Sequence, residues 1–206
     1  MEERITTAHR SATAIVHSPE YQGKLRSFVT GQMVKNVDYG AVPGTEGKPT
    51  LFKSGAEKLC RFFGLAPDIK PVKEIEDFFR DEPLFYYRYR CELYWQRELI
   101  ATCEGSCNSW EKKYRYREEK RSCPRCGNQT IRSGEREFYC WKKIGGCGAR
   151  FPLTFEQIVS QKVGFVPNPE IFDQVNTIQK MAQKRALIGA VLIATGASEF
   201  FNQEGF

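Results

Sequence analysis

Cys123, Cys126, Cys140 and Cys147 lie in the stretch CPRCGNQTIRSGEREFYCWKKIGGCG, and four thiols at such spacing suit a soft divalent metal. Two residues separate the first pair, 13 separate Cys126 from Cys140, and six separate the second pair. In the Cys-Pro-x-Cys-Gly turn the backbone amides are directed at thiolate sulfur. Zn²⁺ takes four such ligands in a closed tetrahedral site, and a segment this short has too little apolar surface to order itself without one. The expected cofactor is therefore structural Zn²⁺. Two disulfides or a redox Cys-x-x-Cys are the competing readings. The opening MEERITTAHR lacks a hydrophobic leader and no βαβ pattern surrounds the motif, so both rank below metal. The second pair is wider than the common Cys-x2-Cys, and Gly145, Gly146 and Gly148 are expected to let the loop close.

A four-cysteine set leaves no coordination position for an activated water, so the metal is read as a scaffold. His9 and His17 are the only histidines, which disfavours histidine-based acid–base chemistry. No nucleophile elbow or phosphate-cradling glycine loop is present. No catalytic residue is expected and the chain is not read as an enzyme. Asp38, Glu57, Asp68 and Glu74 are the carboxylates a metal-dependent nuclease would need. Without a strand-borne pair beside a lysine they read instead as turn, helix-start and strand residues.

Charge is concentrated around the same cysteines. Residues 110–150 hold 12 Lys and Arg against 5 Asp and Glu, out of 31 against 25 in the whole chain. A local excess marks a footprint for nucleic acid. WEKKYRYREEKR interleaves Trp110, Tyr114 and Tyr116 with Lys112, Lys113, Arg115 and Arg117, and Tyr139 and Trp141 stand beside Lys142 and Lys143. Aromatic faces stack on unpaired bases for roughly 1–3 kcal/mol each. The plainer alternative is that Tyr139 and Trp141 cover a small ribbon core while the lysines keep it solvated.

These groups must be positioned by a chain of 206 residues with 41% hydrophobic content, enough for one ordinary domain and a small insert. The longest apolar run, residues 186–194, is too short to span a bilayer, so no membrane partner and a cytoplasmic location are expected. Cys60, Cys91, Cys103 and Cys107 read as small core hydrophobes. Helix is expected over the first thirty-odd residues, broken at Ser18-Pro19, with Ile15, Val16, Leu25, Phe28, Val29 and Met33 as its apolar positions. A second helix should open near Ser54 as a capping box with Glu57 and stop at Gly64. Residues 69–79, 84–95 and 99–109 alternate as an antiparallel meander, with the small residues Ala101, Cys103 and Gly105 sharing one face. Residues 170–197 carry a helical stripe, and Lys180, Lys184 and Arg185 form a cationic ridge on it. The fold class is α+β: a three-stranded antiparallel meander packed on a long C-terminal helix. Residues 1–109 and 151–206 form the core, and 110–150 an inserted zinc ribbon.

The order of elements, with GAEKLCRFFG in one helix and MAQKRALIGAVLIATG in the last, resembles the Rad-fifty-two-like single-strand annealing superfamily. The proteins it is most similar to are of phage or mobile-element type, with a zinc ribbon between sheet and final helix. The likeness covers about residues 45–110 and 168–200. It implies a β-β-β-α unit that assembles as a homo-oligomeric ring or helical filament on single-stranded DNA in a bacterial or phage-infected cell, associated with the nucleoid. Lys184 and Arg185 would contact phosphate, Lys53 or Lys58 would face the groove from the other side, and Arg88 and Arg90 would extend the track. A single-strand-binding protein or an exonuclease is a further partner of this class. The other reading is an adaptor that uses the ribbon and sheet to recruit a replication or transcription partner without annealing.

Overall fold

The computed structural model describes residues 19–42 and 47–203. The expected helical positions Ile15 and Val16, the break at Ser18, and both histidines lie outside the described residues. α1 spans Pro19–Gln32, and Leu25, Phe28 and Val29, with Met33 just past its end, are buried at the spacing that lines one helix face. A short hairpin follows, β1 Tyr39–Gly40 with β2 Thr50–Leu51. α2 spans Lys53–Phe63. Its stop is the expected Gly64, in the left-handed conformation at φ 66° with its amide donating to the Arg61 carbonyl, because glycine adopts that conformation without a Cβ clash. α1 and α2 meet through stacked rings, Tyr21 on Phe63 at 4.8 Å and Phe28 on Phe62 at 4.2 Å.

The start of α2 differs from expectation. Its N-cap is Phe52, and Ser54 Oγ donates to the Val37 carbonyl instead of capping. A tertiary contact takes the hydroxyl that the local motif would have used.

β3 Ala66–Asp77, β4 Leu84–Trp95 and β5 Glu98–Asn108 form an antiparallel sheet in the order β3-β4-β5, as the alternation requires. Phe85, Tyr87, Tyr89, Cys91 and Leu93 are buried on one face of β4 while Arg88 and Arg90 are exposed on the other. The tight β4–β5 connection places both Gln96 and Arg97 at positive φ, 48° and 71°, the twist that two-residue hairpins select.

The chain then enters a second compact unit, Trp110–Gln174. It contains α3 Lys112–Arg115, β6 Tyr116–Glu119, β7 Ile131–Ser133, β8 Glu137–Cys140, a 3-10 turn Lys142–Ile144, β9 Arg150–Pro152, α4 Glu156–Val159 and β10 Gly164–Pro167. β7, β8 and β9 form one antiparallel sheet in that order, and β6 pairs antiparallel with β10. The expected division at residue 150 falls in β9. Because β9 is held by β8 and β10 by β6, the insert runs on to Gln174.

The first unit resumes as α5, Val175–Thr195. It lies on the buried face of β4 and β5 and against α2. Small residues on both sides set that closeness, as the composition of β5 suggests. A Cβ on Gly105 would stand 2.3 Å from the Ala186 nitrogen, and one on Gly189 would stand 2.4 Å from Cys103 Sγ. The chain end then returns beside β2: the Leu51 amide donates to the Asn202 carbonyl at 3.0 Å, the Asn202 amide donates to that of Pro49 at 2.9 Å, and Phe201 is buried. Among the described residues no helix is long and apolar enough to cross a membrane.

Candidate metal centre and basic surfaces

Each pair of cysteines is presented by a turn that the local sequence builds. Between β6 and β7 the Gly127 amide donates to the Cys123 carbonyl at 2.8 Å and the Cys123 amide to that of Asn128 at 2.9 Å, with Gly127 at φ +76°. Cys140 ends β8, and the loop to Cys147 folds back through Gly148, whose amide donates to the Cys140 carbonyl at 3.1 Å. At Gly146 a Cβ would lie 2.6 Å from the Trp141 carbonyl oxygen and 2.7 Å from Cys140 Sγ, so the wider second loop closes only over a residue without a side chain. Asn128 ties the two turns by donating to the Gly145 carbonyl at 2.8 Å.

The four sulfurs all lie within 4.8 Å of one another, and Cys123–Cys147 and Cys126–Cys140 are each 3.7 Å apart. A covalent S–S bond is about 2.05 Å. The edge of a tetrahedron with metal–sulfur bonds of about 2.3 Å is about 3.8 Å. The donor set and its spacing thus fit a soft tetrahedral ion, and the four cysteines together could hold one. Sulfur is also hydrogen-bonded by groups other than the four thiols. The Cys147 amide donates to Cys140 Sγ at 3.1 Å, and Thr130 Oγ1 is 3.0 Å from the same atom. Burial pushes the Cys140 thiol up, but Thr130, the Cys147 amide and the neighbouring thiols outweigh it and bring the group to about 6. Burial dominates at Cys123, which is pushed up to about 11.

Around this centre the cations divide into two kinds. Lys113 pairs with Glu111 at 3.5 Å, Arg117 with Glu119 and with Glu170 at 3.5 Å. Lys112 lies 4.6 Å from the Phe165 ring centroid and Arg115 5.2 Å from that of Tyr116. So the aromatic and basic run 112–117 is largely satisfied within its own unit. By contrast Arg125, Arg132, Arg136, Lys142 and Lys143 have no ion pair among the described residues. Arg132 lies over Trp141 at 5.1 Å from the ring centroid, on the sheet face it shares with Tyr139 and Arg150. Arg136 was not among the expected contacts, and neither were Arg125 and Arg132. Their signal is in the sequence: residues 120–134 hold Lys120, Arg121, Arg125 and Arg132 and no acid.

In the first unit the expected DNA contacts are placed unevenly. Lys180 is exposed and Lys184 half-buried. Arg185 is only 5% exposed, and its Nη1 donates to the Ser106 carbonyl at 2.6 Å. The ridge expected on α5 therefore consists of Lys180 and Lys184, while Arg185 ties the helix to β5. Lys53 pairs with Glu57 at 3.4 Å, and Lys58 with the fully buried Asp38 at 2.6 Å. Arg88 and Arg90 share Glu104, at 3.1 and 2.7 Å. Of the other acids considered, Asp68 binds Lys70 at 2.9 Å and Glu74 accepts from Tyr89 at 2.5 Å.

Asp38 in the Asp-Tyr-Gly turn has a structural role that its sequence did not disclose. Its carboxylate accepts from the Val34 amide at 2.8 Å and its carbonyl from the Phe52 amide at 2.9 Å. Gly55 packs against that carbonyl, where a Cβ would come within 2.3 Å. No family model, curated protein or solved structure matches the chain.

Proposed function

We propose that this protein binds single-stranded DNA and anneals complementary strands as an oligomeric ring or helical filament, with Zn²⁺ as a structural ion in the four-cysteine centre. The observation that carries the reading is the set of cations without anionic partners on the cysteine-pinned unit, Arg125, Arg132, Arg136, Lys142 and Lys143, with Arg132 over the Trp141 ring and opposite Tyr139 in the sheet. Spaced cations with aromatic faces suit a flexible polyanion whose bases are unpaired. The meander packed on a long helix supports it through the resemblance to the annealing superfamily. Lys180 and Lys184 supply a second, weaker line of charge.

Annealing makes and breaks no covalent bond. The cations lower the repulsion between two phosphate backbones, and exposed bases are left to pair. Zn²⁺, when bound, neutralises thiolate charge and fixes the two cysteine turns, so the cations keep their spacing.

The test is mass and shape by light scattering and negative-stain imaging, with a strand-annealing assay on complementary oligonucleotides. Large rings or filaments with accelerated annealing are expected. One feature favours the adaptor reading: Phe79, in the turn after β3, is wholly exposed at 101%, as a residue for a protein contact is. A small species that binds DNA without annealing it would select the adaptor.

A further inference from the structure

Between the β6–β10 pair and the edge strand β7 the second unit has a groove of about 290 Å³. Lys120, Arg121 and Arg132 line it together with Ile131, Ile144 and Val163. The chemistry of the wall is mixed. Ile144 and Val163 keep 47% and 42% of their surface exposed, so apolar side chains stand in water next to three cations. Glu118 offsets them in part, but it stands 3.9 Å from Lys120 with both side chains more than 60% exposed. Such a contact contributes little.

A ligand that matches this wall carries an anion and a flat apolar surface one short linkage apart. An acidic side chain supplies the first without the second. The volume lies at the small end of ligand sites and suits one nucleotide. The positive line also outruns a single phosphate, since Ile144 follows directly on Lys142 and Lys143, both exposed, and Arg132 carries the charge onto Trp141. A polymer is therefore favoured over a free mononucleotide.

We propose that this groove holds one nucleotide of a single strand, its phosphate between Lys120, Arg121 and Arg132 and its base against Ile131, Ile144 and Val163. The assignment rests on the nucleic-acid reading above and adds a site that reading did not contain. Only Lys142 and Lys143, at its rim, were expected contacts.

The experiment uses the full-length, zinc-replete chain and fluorescein-labelled oligothymidylate, with anisotropy read across a salt series. Arg121 stays untouched because its guanidinium lies 5.1 Å from the Phe138 ring centroid in the core. The Lys120→Gln, Arg132→Gln double variant should bind about tenfold more weakly at low salt and lose up to about 0.7 from the slope of log K against log salt, the share of the one phosphate the groove holds. Its metal content and circular dichroism should match the parent. Photocrosslinking of the unmodified chain to iodouridine-containing strands should place adducts within residues 120–144. An unchanged slope, or adducts confined to residues 175–195, overturns the groove while leaving DNA binding intact. Polyglutamate that displaces the labelled strand as well as unlabelled oligothymidylate does overturns it too, because the site would then read charge alone. A parent chain that binds no oligothymidylate overturns both readings.

Discussion

Asp38 shows how one side chain removes a cation from the set open to a ligand. It is fully buried, accepts from Lys58 Nζ at 2.6 Å, and leaves Oδ1 without a donor among the described residues. Burial alone would push its carboxyl up, but hydrogen bonds from Lys58 and the Val34 amide, with the Lys58 charge, hold it below the usual range. A folded value below the unfolded one, about 4, contributes stability that is complete above that pH and is lost as pH falls through the folded value. Urea midpoints should therefore decline below about pH 4 in the parent and less steeply in Asp38→Asn. Lys58→Met should cost about 2–3 kcal/mol near neutral pH. That is under the usual 3–5 for an orphaned buried charge because Lys58 is 35% exposed. If Lys58→Met left the urea midpoint unchanged and weakened DNA binding, Lys58 would be a ligand contact after all. At the metal centre the residue-scale expectation concerns Cys140, whose sulfur also receives the Cys147 amide. Cys140→Ser should weaken the thiolate-to-metal charge-transfer band of the Co²⁺-loaded chain, since three sulfurs then remain, and a band of parental intensity would mean that another donor set holds the ion.

At the scale of elements, closeness of approach is what the glycines supply. A methyl on Gly105 must displace the backbone of α5, since both the Ala186 nitrogen and the Ala182 oxygen, at 2.3 and 2.7 Å, are main-chain atoms that cannot swing away. Gly105→Ala should cost about 1–3 kcal/mol as overpacking. Gly23, inside α1, has nothing within 4 Å of its Cβ position, so Gly23→Ala should stabilise by about 0.5–1 kcal/mol. Paired urea titrations check both signs. A neutral Gly105→Ala would mean that α5 can slide on the sheet. The same elements explain what the sequence disclosed. β4 was legible because Phe85 to Leu93 alternate with Arg88 and Arg90, and period-two patterning is a property of the strand itself. The small face of β5 was legible as a contact for the same reason. What stayed hidden depends on partners distant in sequence. Ser54 matched a capping box and gave its hydroxyl to Val37. Arg185 looked like part of a ridge and was turned to Ser106. β10 left no signal in the sequence because the four residues Gly164–Pro167 carry no period of their own and are strand only through β6. At the candidate site the four ligands were legible from spacing, whereas the split between paired and unpaired cations was not, since Glu170 reaches Arg117 only in the folded unit.

For the whole molecule the division into two units has an energetic consequence. The first unit buries a continuous core from α1 through the sheet to α5, with Leu25, Leu59, Phe85, Tyr87, Ile178 and Ile188 nearly inaccessible. The second buries far less: Tyr114, Phe138 and Ile158 are its large interior side chains, and two of its buried residues, Cys123 and Cys140, belong to the cysteine cluster. A core that small rarely supplies enough apolar burial to fold alone, so a metal held by the four cysteines would contribute much of that unit's stability. Chelation should then act on one unit and spare the other. Followed by hydrogen exchange, a zinc chelator should accelerate the amides of residues 131–140 and 116–119 to nearly unfolded rates while those of β4 and α5 keep their protection. The same chelated chain should still assemble, because the sheet and long helix persist, yet bind oligothymidylate with a shallower salt dependence, having lost the ordered spacing of Arg125, Arg132, Lys142 and Lys143. Loss of protection in β4 in step with β8 would show instead that the two units fold as one and that the cysteines stabilise the entire chain.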